Sequence, residues 1–132
     1  MIFPQELLGL SDDCLMHFYA VATDLVEKKD YEGAIAILTW LEMLAPYVSS
    51  FWLAHGLCLQ MLNKHDEAIE SLLIAKQFSL EDPTIIFNLY KSYSASKMHD
   101  LAKSEMKLLN ALIMQLTPLE QSAWRDKINN LR

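Results

Sequence analysis

Four histidines are the side chains of this sequence that are best suited to bind a metal ion, because a neutral imidazole nitrogen is a common zinc ligand. They are His17, His55, His65 and His99. The interval in sequence from His65 to His99, however, equals the interval from Tyr31 to His65. A packing role at equivalent positions of a repeat explains all three residues. We therefore expect no metal site.

Patterns that support nucleophilic or phosphate chemistry are absent. The sequence has no Gly-rich phosphate loop and no His-Glu-x-x-His, Cys-x-x-Cys or Gly-x-Ser-x-Gly motif. Its two cysteines, Cys14 and Cys58, make no disulfide framework, and Cys58 is expected to be a small buried hydrophobe. The acidic pairs Asp12-Asp13 and Glu81-Asp82 suit helix starts, where the helix dipole favours negative charge. We expect no enzymatic activity and no cofactor.

The charge and the hydropathy pattern exclude two classes of partner. The formal net charge is −6, which argues against binding to nucleic acid, since this needs a basic surface. The sequence contains no run of 18 uncharged apolar residues, so it predicts no membrane span. The N-terminus does not resemble a signal peptide. We expect a cytoplasmic protein without direct membrane insertion. Hydrophobic residues make up 52% of the chain, which favours an apolar surface kept for a protein partner.

A repeat of about 34 residues determines the predicted fold, since a fixed period of this length is typical of helical solenoids. Ala34, Ala68 and Ala102 mark it, and blocks that start at Leu15, Ser49 and Pro83 align bulky and small residues in columns. The aligned columns are Phe18, Trp52 and Ile86; Ala22, Gly56 and Tyr90; Leu25, Leu59 and Tyr93; and Leu38, Leu72 and Met106. These columns resemble the tetratricopeptide repeat, whose helical hairpins stack into a superhelix. The sequence therefore predicts an all-α fold.

The same alignment predicts the organisation of the chain as one domain over residues 1–132. Its repeats span about 15–48, 49–82 and 83–116, and residues 117–132 form a C-terminal capping helix. Ser11, Asp82-Pro83 and the capping box Thr117-Pro118-Leu119-Glu120 mark helix starts. The N-terminal apolar residues Ile2, Phe3, Leu7, Leu8 and Leu10 either seal the first repeat, which we favour slightly, or meet a partner.

Resemblance to tetratricopeptide proteins also implies a concave surface lined by the first helix of each repeat. The expected binding residues are Tyr19, Thr23, Val26, Leu53, Leu57, Gln60, Met61, Phe87 and Lys91, with Glu27 beside them. Most of these side chains are apolar or aromatic, which suits an extended segment with hydrophobic side chains. Packing against a neighbouring helix is the alternative role for any single one of them.

One segment narrows the resemblance further. Trp52-Leu53-Ala54-His55-Gly56-Leu57-Cys58-Leu59-Gln60 is similar to a motif of the class II chaperones of bacterial type III secretion, which guard hydrophobic translocator proteins. Asn63-Lys64-His65-Asp66-Glu67-Ala68 matches as well. The resemblance implies a non-enzymatic chaperone that holds an extended segment near the N-terminus of a translocator in its groove. The segment before Leu15, which often carries dimer contacts in that family, is shorter than is common there. Whether the chain forms a homodimer therefore stays open.

Two other functions remain open at this point. One is a needle-subunit co-chaperone of the same secretion system, whose client is an amphipathic helix. The other is a structural adaptor that assembles a complex without chaperone activity. The three repeats and the Gly-Leu-Cys-x-Gln run favour the translocator class over both.

Overall fold

The structure is a computed structural model that describes residues 3–131, and all regular secondary structure within them is helical. The helices are α1 (Pro4–Leu7), α2 (Asp12–Glu27), α3 (Tyr31–Leu44), α4 (Ser49–Met61), α5 (His65–Phe78), α6 (Pro83–Ala95), α7 (His99–Ile113) and α8 (Pro118–Asn129). The pairs α2–α3, α4–α5 and α6–α7 are the three predicted helix-turn-helix units, and α8 is the predicted final helix. The all-α helical-repeat prediction is thus confirmed.

Side-chain caps explain why several helices begin where they do. The Ser11 hydroxyl accepts a hydrogen bond from the backbone N–H of Cys14 at 3.1 Å, and an Asp82 carboxylate oxygen accepts one from Thr84 N–H at 2.9 Å. Thr117 and Glu120 form a reciprocal capping box. Each cap satisfies N–H groups that have no partner within the helix. All three predicted starts are confirmed.

The turns inside the hairpins share a backbone feature that the sequence did not reveal. Lys29, Asn63 and Lys97 have positive φ angles of 62°, 60° and 61°. They occupy the same position in successive repeats, just after the first helix of each hairpin. The left-handed conformation costs about 1–2 kcal/mol for a residue with a Cβ atom. Every repeat therefore has a tight reversal here even though none of these three residues is glycine.

Small residues bring the helices of each hairpin close together. Ala34 and Ala68 are completely buried, and Ala102 is nearly so. Gly56 lies so near α5 that a Cβ atom built on it would stand 2.7 Å from Cγ of Leu72. Ordinary van der Waals contact between carbon atoms needs about 3.5–4.0 Å. Only a residue without a side chain therefore fits at this point of the α4–α5 contact.

The helices form two compact units that meet in sequence between Leu80 and Glu81. The core of the first unit contains Leu38, Leu41, Phe51 and Cys58, together with other buried apolar side chains. Cys58 is 1% exposed, and burial raises the pKa of its thiol to about 11. The expectation of a buried, hydrophobic Cys58 is confirmed. In the second unit Ile86, Phe87, Leu109, Leu112 and Ile113 form a core cluster, on which Trp124 of α8 packs.

The N-terminal segment partly seals the first unit. The Phe3 ring lies 4.8 Å from the Tyr47 ring, and the Tyr47 hydroxyl donates a hydrogen bond to Oε1 of Gln5 at 2.8 Å. Leu10 packs against the core. Leu7 and Leu8 point to solvent, being 71% and 66% exposed, and Ile2 lies outside the described residues. The segment therefore covers a small part of the repeat and leaves two leucines free.

A buried acidic residue joins the first hairpin to the second. The Nδ1 atom of His55 on α4 lies 2.8 Å from Oε2 of Glu42 on α3, so the two side chains are hydrogen-bonded. Only 5% of the Glu42 side chain is exposed. Burial raises the pKa of the Glu42 carboxyl, and the hydrogen bond from His55 offsets this only in part. His55 thus joins α4 to α3 through this hydrogen bond.

Replacing Gly56 by valine should destabilise the first unit. The added side chain would overlap buried Leu72, and overpacking of this kind costs typically about 1–3 kcal/mol. Urea unfolding measures this loss. Glu70→Val, which places the same side chain at an exposed position of α5, is the matched control and should change the free energy of unfolding by less than about 0.5 kcal/mol. Equal stability of the two variants would show that the helices are not in close contact at Gly56.

The Glu42 carboxyl should make stability depend on pH. Its pKa is higher in the folded state than in the unfolded chain, so its favourable contribution is complete below the unfolded-state pKa and is lost as the pH rises through the folded-state value. Glu42→Gln keeps a hydrogen-bonding side chain but cannot ionise. The free energy of unfolding of the natural chain minus that of this variant should therefore decrease between about pH 4 and pH 7. A difference that stays constant or increases over this range would contradict the assignment.

Candidate functional site

A shallow apolar trough lies between α2 and α4 in the first unit. It has a volume of about 270 Å³. Its lining residues are Tyr19, Thr23, Val26, Glu27, Ala54 and Leu57. Four of these were predicted as binding residues from the sequence, and Glu27 was expected beside them.

Helical periodicity places these side chains on one surface. On α2, Tyr19, Thr23 and Val26 follow one another at intervals of four and three residues, and on α4 Ala54 and Leu57 stand three residues apart. The Tyr19 ring also packs on Phe51 at 5.4 Å between ring centroids, and burial raises the pKa of the Tyr19 phenol. The core below therefore fixes the wall of the trough.

The chemistry of the trough suits apolar side chains. The Thr23 hydroxyl donates a hydrogen bond to the backbone carbonyl of Ala20 at 2.9 Å, which directs this polar group to its own helix. Glu27 is the one charged residue among the six that line the trough. An apolar cavity of about 150 Å³ holds a benzene molecule. The larger volume here has room for an aliphatic side chain of a bound peptide.

The other predicted residues of α4 lie along the same helix. Leu53 stands one turn before Leu57 and is half-buried, as is Gln60. Met61, the last residue of α4, is 60% exposed. The trough is thus continued on α4 by a flexible, accessible side chain.

Phe87 and Lys91 belong to the second unit, where Phe87 is only 7% exposed. Its ring lies 5.7 Å from that of Trp124 on α8, between centroids. The Nζ atom of Lys91 lies 5.4 Å from the centroid of the Phe87 ring, a cation–π distance. Phe87 therefore contributes to the core of this unit, and Lys91 covers its outer face.

Ala54 is the lining residue that the sequence analysis missed. The repeat columns drew attention to the bulky residues of α4, while Ala54 stands between two of them. Its spacing of three residues from Leu57 was the available signal, since residues at this spacing share a helix face. A small residue here leaves the space that the trough occupies.

Within residues 3–131, no three His, Cys, Asp or Glu side chains lie together in a way that would hold a metal ion. None of the helices described there combines the length and the apolar character needed to cross a bilayer.

The sequence is similar to that of a known bacterial protein. This relative is the low calcium response locus protein H of Yersinia pestis, which is 26% identical over 116 residues that cover 88% of this chain and 69% of that protein. The chain matches no protein-family model.

Solved structures show the same fold over most of the chain. A chain of the CopN–Scc3 complex superimposes with a TM-score of 0.90, at 23% identity, and the match covers all of this chain and 76% of that one. The translocator chaperone SycD of Yersinia enterocolitica gives a TM-score of 0.85 at 24% identity, with 95% and 93% coverage. SycD in complex with a peptide of the translocator YopD gives 0.80 at 25% identity, with 87% and 88% coverage. In sequence and in fold, the chain is therefore similar to the translocator chaperones of type III secretion, the family that the motif in its second repeat indicated.

Proposed function

We propose that this chain is a type III secretion chaperone that binds hydrophobic translocator proteins and keeps them soluble and ready for secretion in the bacterial cytoplasm. The observation that carries the proposal is the apolar trough between α2 and α4, which four predicted binding residues line. SycD, which is similar to this chain, binds a peptide of the translocator YopD. No observation favours a needle-subunit client or an adaptor without chaperone activity.

An extended segment of the client fits the spacing of the site. Alternate side chains of an extended chain are about 6.6 Å apart and point to the same side. One turn of α4, from Leu57 to Met61 or from Leu53 to Leu57, advances about 6 Å. A client residue that enters the trough therefore brings the residue two positions away over the next apolar side chain of α4.

The energetics favour moderate affinity from the trough alone. Complete burial of an aliphatic side chain contributes roughly 1.5–3 kcal/mol. Ordering a flexible client segment costs about 2–5 kcal/mol, so two or three anchors leave a modest net gain. This suits a chaperone that must release its client to the secretion apparatus.

The proposal also includes the other predicted binding residues of each unit. Leu53, Gln60 and Met61 would contact the client next to the trough. Lys91 would contact it through its ammonium group or its aliphatic stem, and buried Phe87 would support Lys91 from below, since the two lie at cation–π distance. Glu27 at the trough would favour a basic residue of the client beside the apolar anchors.

Leu57→Glu should abolish capture of an N-terminal translocator fragment from the same secretion system. The carboxylate would stand against apolar client side chains in a trough whose six lining residues include no cation. Leu73→Glu is the matched control, because Leu73 is an exposed leucine of α5. Pulldown and calorimetric titration measure binding, and thermal melting followed by circular dichroism checks that both variants are folded.

A second variant keeps this test decisive if Leu57→Glu unfolds. Thr23 is exposed and lines the same trough, so Thr23→Arg should fill the trough and weaken binding while the melting temperature is unchanged. Retained binding in both folded variants would refute the assignment of the trough. Loss of binding in the Leu73→Glu control would show that the client contacts another surface.

A further inference from the structure

A second apolar trough lies on the first unit, between α2 and α3. Phe18, Val21, Ala36, Ile37 and Trp40 line it, and its volume is about 490 Å³. The Phe18 and Trp40 rings meet edge to face, with 4.9 Å between their centroids. Val21 and Trp40 are each 40% exposed. We call this surface the outer trough, and we call the smaller trough between α2 and α4 the client trough. None of the residues that line the outer trough is charged.

The outer trough is distinct from the proposed client site. On α2, Val21 and Thr23 lie on either side of Ala22, which is 1% exposed. Successive residues of a helix are about 100° apart, so Val21 and Thr23 point to opposite flanks of α2. Thr23 lines the client trough, and Val21 lines the outer trough. One segment bound in the client trough would leave the outer trough free.

The second repeat shows what covers this face when a neighbour is present. Trp52 and His55 occupy the positions in the second repeat that Phe18 and Val21 occupy in the first. The Trp52 indole donates a hydrogen bond to the carbonyl of Pro46, which follows α3, and His55 bonds to Glu42 of α3 itself. In the second repeat, a preceding helix thus packs on this face of α4.

Among residues 3–131, the first repeat has no equivalent helix before α2. The N-terminal helix α1 has four residues and packs against α3. Phe3 and Gln5 contact Tyr47, and Gln5 also bonds to Leu10 and to Asp12 of α2. None of these partners lines the outer trough. The face that α3 covers on α4 is therefore open on α2, and the second repeat indicates that a helix would cover it.

Charge indicates the character of that helix. Residues 1–48 contain eight Asp and Glu residues and two lysines, whereas residues 49–132 contain nine acidic and nine basic residues. The whole formal charge of −6 thus lies in the part of the chain that forms the outer trough. Glu32 stands four residues before Ala36, so this exposed carboxylate lies within one turn of the trough. Asp24 stands three residues after Val21, and its carboxylate is paired with Lys28 at 2.8 Å. A second copy would bring the same acidic surface and be repelled.

We propose that the outer trough docks an amphipathic helix of a partner protein, with leucine-like side chains on one face and lysine or arginine at its borders. The apolar face of the helix would cover Val21, Ile37 and Trp40, in the way that α3 covers α4. The basic border residues would meet the acidic first repeat. This interaction is independent of the client trough.

A synthetic peptide of about 18 residues, five helical turns, tests the proposal. Its leucines form one helical face and its lysines form the rest. The three tryptophans of the chain provide the readout, because each indole N–H gives a separate NMR signal. The Trp40 signal should shift on titration, while those of Trp52, whose indole is hydrogen-bonded to Pro46, and of Trp124 in the second unit should not. A peptide with glutamate in place of lysine should bind at least about tenfold more weakly.

Two matched variants separate this surface from the client trough. Val21→Lys should weaken binding of the leucine–lysine peptide (the Leu–Lys peptide) at least about tenfold, because it puts a cation in the outer trough. Thr23→Lys, the same replacement on the opposite flank of α2, should leave this binding within about twofold. Both positions are exposed, so both variants should fold.

Several results would overturn the proposal. One is equal binding of the lysine peptide and of the peptide with glutamate in place of lysine. Another is a titration in which the NMR signal of Trp124 shifts while that of Trp40 does not. A third is unchanged binding to folded Val21→Lys. A dimer of the chain that Val21→Lys dissociates would show that a second copy occupies the trough. Loss of translocator capture by Thr23→Arg concerns the client trough alone and does not bear on this proposal.

Discussion

The close contact between the two helices of each hairpin, made by small buried residues, is the constraint on which the rest of the structure depends. At Gly56 there is no room even for a Cβ atom against Leu72. Ala34 and Ala68, which occupy equivalent positions in the first two repeats, are completely buried. Because the crossings take small residues, the bulky apolar side chains lie to either side of them. The core and the exposed apolar surfaces both follow from this division.

The first repeat shows the consequence most clearly. Around buried Ala22, one flank of α2 presents Tyr19, Thr23 and Val26 to the client trough, and the other presents Phe18 and Val21 to the outer trough. The Glu42–His55 hydrogen bond holds α4 beside α3, so that Leu57 completes the client trough. A single amphipathic helix would have one apolar face, but in this repeat α2 has apolar residues on both flanks, and we assign a different partner to each.

Features with a local signature in the sequence could be predicted, whereas contacts that occur only once in the fold could not. The repeat period, the caps at Ser11, Asp82 and Thr117, and buried Cys58 could all be inferred, because each has a local signature in residue type or spacing. Phe87 aligned with Tyr19 and Leu53, yet its ring is buried under Trp124, a contact between α6 and α8 that no repeat column contains. The outer trough was missed for the same reason. It exists because, among the described residues, only the four-residue helix α1 precedes α2 and it does not cover this face, and an alignment of repeats does not show a missing neighbour.

Methyl NMR of the chain bound to an N-terminal translocator fragment tests the central claim most directly, because intermolecular Overhauser contacts report which methyl groups touch the client. Val26 and Leu57 line the client trough, whereas Val21 and Ile37 line the outer trough. The account predicts contacts from the client's apolar side chains to the Val26 and Leu57 methyls. Contacts confined to the Val21 and Ile37 methyls, with none at Val26 or Leu57, would contradict it.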